Sequence, residues 1–182
     1  MVDGILHGLQ VEDTVDTNWI VTALLANATS NAADVSSDSN AAIIDYLPSL
    51  TESYLVNGMY EETVEDFLRL FLNLLASQNT TNEHSAKIMN DALDSIVDNL
   101  LNSAYPGQNL PKIATPAVSI ELQKDSVSQL PVSIGSLEED GVSFELPADF
   151  SDIFTAAGAT VFGSKCVINK KNVYSYSASS QK

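Results

Sequence analysis

The sequence predicts an α+β protein, with an acidic helical subdomain of about four helices over residues 1–105 and an antiparallel β-sandwich subdomain, incomplete at its end, over 106–182. Three observations carry this. Apolar residues before Tyr105 recur at helical spacing, whereas those after Gly107 alternate with polar ones. Tyr105-Pro106-Gly107 stands between the two patterns as a helix stop. Charge divides at the same place: residues 1–103 hold 16 acidic and 2 basic side chains, net −14, against 8 and 6, net −2, in 104–182.

The first helix is expected over Val15–Ala26, where Trp19, Ile20, Ala23 and Leu24 fall on one face. Asn27–Asp38 is rich in Ser, Asn, Asp and Ala and reads as a loop. A second helix runs from Ser39 to Leu47. Pro48 breaks it or opens a new first turn, and Asn57-Gly58 ends the region. A third covers Tyr60–Ser77: Glu61, Glu62, Glu65 and Asp66 suit the positive end of the helix dipole, and Phe67 to Leu75 is apolar nearly all round, the mark of a central helix. The fourth covers Thr81–Ser103 behind a Thr80-x-x-Glu83 capping box. Its stripe is Ile88, Met89, Ala92, Leu93, Ile96, Val97, Leu100 and Leu101, with Asp91, Asp94 and Asp98 on the wet side.

Beyond the stop, Val118, Ile120 and Leu122 alternate with Ser119, Glu121 and Gln123 as a half-buried strand. Val132 and Ile134 form the next strand, Gly135–Gly141 a turn, and Val142, Phe144 and Leu146 another strand that Pro147 stops. Asp149–Ala157 suits a short helix. Val161-Phe162, Cys166-Val167-Ile168 and Val173–Tyr176 complete the strands, with Tyr174 and Tyr176 on one side. Strands at this spacing without long helices between them predict a sandwich. The stripe leading into Tyr105 predicts that the last helix docks on the first strands and that the halves fold together.

Composition bounds function. At 45 % hydrophobic, the 182 residues can bury a core. A net charge of −16 repels phosphate backbones and anionic lipid, so protein partners are expected, with no nucleic acid and no direct membrane contact. No run of apolar residues is long enough to span a bilayer, and Met1-Val2-Asp3-Gly4 does not begin a secretory leader, which fits a cytosolic protein or an internal segment of a longer one.

Catalytic patterns are absent. His7 and His84 lie far apart, one cysteine completes no zinc spacing, and no Gly-rich phosphate loop or nucleophile elbow occurs. Arg69 is the sole arginine, which nearly excludes bidentate anion recognition. Glu61-Glu62-Glu65-Asp66 and Glu138-Glu139-Asp140 supply oxygens that calcium takes, but neither has the loop spacing of a calcium site. No paired carboxylates are spaced for acid–base hydrolysis, and no enzyme activity, cofactor or metal is expected. Asn27-Ala28-Thr29 and Asn79-Thr80-Thr81 are N-glycosylation sequons in expected loops, although with Asn, Ser and Thr this frequent two arise by chance. Cys166 lies in an apolar run and reads as a buried, inert thiol, or as half of a disulfide whose partner lies elsewhere.

Several phrases resemble one family. They are Leu93-Asp-Ser-Ile-Val-Asp-Asn-Leu-Leu101, Ala114-Thr-Pro-Ala-Val-Ser-Ile-Glu-Leu122, Val142-Ser-Phe-Glu-Leu-Pro147 and Asn172-Val-Tyr-Ser-Tyr-Ser177. With the order of helices before strands, they are similar to the GAIN/REJ-type ectodomain of polycystin-like proteins and adhesion G-protein-coupled receptors, over about Asn40–Ser177. The last phrase has Val173 where that family has proline. The resemblance implies a non-enzymatic, extracellular structural or adhesion segment of a large membrane-anchored protein, at the cell surface or on a cilium, with partners in such an assembly. It also implies self-cleavage further on, but the family's His-Leu-Ser/Thr tripeptide and Cys/Trp pairs are absent here. The alternative is a soluble intracellular assembly protein of helical-plus-β fold.

Overall fold

A computed structural model describes residues 4, 18–31, 35–57, 61–77, 83–110, 112–114, 118–129, 133–137 and 142–170. The chain divides into two compact units, the second beginning at Leu100. Among the described residues, the order is α1 (Asn18–Ala28), α2 (Ser37–Asn57), α3 (Glu61–Ala76), α4 (Glu83–Ser103), β1 (Ile113–Ala114), β2 (Val118–Ser126), β3 (Ser133–Leu137), β4 (Val142–Glu145), α5 (Phe150–Ala156) and β5 (Val161–Asn169). The expected α+β class, helices first and antiparallel strands after, is the observed one.

In the first unit α3 is the centre. Val64, Phe67, Leu68, Leu70, Phe71, Leu74 and Leu75 are all buried, as its nearly continuous apolar surface requires. Each such side chain contributes roughly 1.5–3 kcal/mol of transfer free energy. On α4, Met89, Ala92, Leu93, Ile96 and Val97 are buried and Asp91, Asp94 and Asp98 exposed, as expected; Ile88, Leu100 and Leu101 of the expected stripe are only half-buried. The expected Thr80 cap falls outside the described residues.

Two helical expectations are corrected. The buried face of α1 is Val21, Thr22, Leu25 and Ala26, and Trp19, Ile20 and Leu24 are exposed. The segment is apolar on nearly every side, so spacing alone does not choose which face turns inward. The second helix does not end at Leu47 but continues through Pro48 to Asn57. Proline removes a hydrogen bond and crowds the carbonyl four residues back. Here Ile43, Ile44, Leu47 and Leu50 are fully buried on both sides of it, and their packing holds the helix continuous while Pro48 itself is exposed. The start lies at Ser37, because Ser36 Oγ accepts from Ser39 N–H at 3.1 Å as an N-cap.

The second unit begins with the last turn of α4. Tyr105-Pro106-Gly107-Gln108 then reverses the chain: Gln108 N–H donates to Tyr105 O at 3.0 Å, and Gly107 has φ 78°. Proline second and a positive-φ glycine third are the residues a type II turn requires. β1, β2 and β5 form an antiparallel sheet with β2 in the middle, and β3 pairs with β4 in a separate antiparallel sheet. β3 lies close to β2 and β5 without hydrogen-bonding to either.

Val118, Ile120 and Leu122 are buried as expected, but so is Ser119, at 0 % exposure. The two strands expected at Val161 and Cys166 are one, β5, paired with β2 along its whole length. Gly163 does not break it; a Cβ there would lie 3.3 Å from Leu101 Cδ2, so glycine allows Leu101 to press on the sheet. β3 also runs through Gly135 to Leu137, which shortens the expected turn, with a register irregularity between Ile134 and Leu137. Phe144 of β4, an apolar position in the expected alternation, is 60 % exposed. The short helix appears as α5 and ends in a Schellman motif: Ala159 N–H donates to Phe154 O, Gly158 N–H to Thr155 O, and Gly158 has φ 77°. Phe150 and Phe154 pack on Phe162 of β5 with centroids 5.8 and 5.6 Å away, both edge to face. Val132, Tyr174, Tyr176 and the turn at Glu138–Asp140 lie outside the described residues.

Candidate functional site

Among the described residues, those singled out in the sequence do not converge. Asn27 is exposed in the last turn of α1 rather than in a loop, because the helix runs on to Ala28. The Thr29 of its sequon is 2 % exposed; its hydroxyl donates to Leu25 O at 2.8 Å and accepts from Asn73 Nδ2 at 3.1 Å. Asn79 lies outside the described residues, as does His7. His84 is exposed at the start of α4, with Nε2 3.9 Å from Asp45 Oδ1. Asp66 of the first acidic group pairs with Arg69 at 2.6 Å on the surface, a contact that contributes little. Among the described residues no three His, Cys, Asp or Glu side chains gather as metal ligands, and no helix is long and apolar enough to cross a membrane.

Cys166 is free and buried in β5, directly across from Glu121 of β2. Burial, and then the Glu121 carboxylate beside it, push its thiol above the usual value, which keeps it protonated and poorly nucleophilic. Glu121 in turn accepts from Lys112 Nζ at 2.7 Å. Two residues along the same face, the Ser119 hydroxyl is buried with no hydrogen-bond partner among the described residues.

The polar groups that the helical unit does bring together were not visible as a site in the sequence. Thr22 Oγ1 donates to Asn18 O at 2.8 Å and hydrogen-bonds the Tyr54 hydroxyl. Tyr54 is 4 % exposed, and burial, the largest cause, pushes its phenol up to about 12. Asn99 Nδ2 donates to Tyr54 O at 3.0 Å, tying α4 to α2. Asn73 Nδ2 donates to Ala26 O at 2.9 Å and to Thr29 Oγ1, tying α3 to the end of α1. Asn40 Nδ2 hydrogen-bonds Ser77 Oγ, tying α2 to the end of α3. A lone Asn inside an apolar run, as Asn73 is, was the available signal. Such a set fixes the register and spacing of packed helices; it holds no nucleophile–base pair.

The remaining candidate surface is apolar. Trp19, Leu24 and Ile20 lie on the open side of α1 at 56, 47 and 40 % exposure. In the second unit Phe144 and Ile153 are likewise open. No protein-family model matches the chain, and no curated protein matches it.

Proposed function

We propose that this chain is a non-enzymatic structural or adhesion segment of a larger membrane-anchored surface protein, resembling the GAIN/REJ module of polycystin-like proteins, with partners in a cell-surface or ciliary assembly. The observation that carries the reading is the order of parts around one turn. A buried helical unit precedes the type II turn at Tyr105–Gln108, and antiparallel strands follow. The phrases that resemble the family fall on regular elements: Leu93–Leu101 in α4, Val118–Leu122 in β2, and Val142–Glu145 in β4. In this reading the three-stranded and two-stranded sheets are facing leaves of a sandwich, and the asparagine-tied helices make a stiff body that presents its surface to protein partners.

The second reading is an intracellular assembly protein of the same fold. The burial and hydrogen bonding of Thr29 favour it, since a sequon fixed in a helix is a poor glycan acceptor once folded. Peptide mass spectrometry on native material separates the two. Glycan mass on Asn79 or Asn27 and labelling by a cell-impermeant reagent support the surface reading. Bare sequons on a protein that escapes such labelling reject it.

A further inference from the structure

We draw no further inference here: the strongest candidate, the exposed apolar patch of Trp19, Ile20 and Leu24 on the open side of α1, carries nothing because nothing in the structure shows what covers it.

Discussion

Asn73→Ala should unfasten the end of α1 from α3. At that end the Ser30 N–H turns to Asn27 O, at 3.2 Å, instead of continuing the helical ladder to Ala26 O. Ala26 is fully buried, and Asn73 Nδ2, 2.9 Å away, is the close donor that its carbonyl keeps; Thr29 Oγ1 is 3.4 Å off. Losing a hydrogen bond of this kind costs about 1 kcal/mol, and leaving a buried carbonyl unsatisfied raises the cost to about 2–3 kcal/mol. With a urea slope of about 2 kcal/mol/M, the midpoint should fall by roughly 1 M, read by circular dichroism of the helices. Asn73→Leu sharpens the test. It adds apolar contact in a half-buried place but still leaves the carbonyl without its donor, so it should remain less stable than the parent. A leucine variant as stable as the parent would show that packing, not the hydrogen bond, holds this seam, and would refute the reasoning.

Tyr54→Phe should cost about 1 kcal/mol at neutral pH, since the Thr22 hydroxyl keeps its bond to Asn18 O. It should also remove an alkaline limb. With the folded phenol near 12 and the unfolded one near 10, the contribution of Tyr54 is complete below about pH 10. It is lost as pH rises through about 12, on the order of 2–3 kcal/mol, so the advantage of the parent over Tyr54→Phe should vanish and then reverse in urea melts over that window. Pro48→Ala should stabilise the helical unit by about 1–2 kcal/mol, because alanine restores the N–H for Ile44 O at an exposed position while giving back some unfolded-state entropy. A lower urea midpoint would mean that the helix needs the proline bend. Lys124 Nζ donates at 2.9 Å to both Leu101 O and Asn102 O, the last carbonyls of α4. Lys124→Met should therefore lower stability by about 1–2 kcal/mol in a thermal melt, whereas Lys124→Arg should retain most of it.

The legible parts of this fold were those with strong period and strong punctuation. The stripe of α4 is one-sided, so its buried set followed from spacing, and proline followed by glycine at residues 106–107 allows little besides a turn. The alternation at Val118–Leu122 was legible for the same reason. What failed was local in each case. α1 is apolar on most sides, and its inward face was chosen by its neighbours, including the Tyr54 hydroxyl that receives Thr22. Pro48 read as a break and Val161-Phe162 and Cys166–Ile168 as separate strands, yet burial around Pro48 kept the helix whole and β5 runs unbroken from Val161 to Asn169.

Although the second compact unit begins earlier than the expected boundary, at Leu100, the sequence by itself determined the α+β order, the turn at Tyr105-Pro106-Gly107, the acidic first half and the central place of α3. Each is written in periodicity, turn chemistry or charge within a short stretch of chain. The tertiary structure alone decided which polar residues matter. Asn73, Asn40, Asn99, Thr22 and Tyr54 find partners 32–47 residues away in the chain. No local pattern encodes such pairings, because a buried hydrogen bond is specified by where two helices meet, and that is settled by packing over the whole unit.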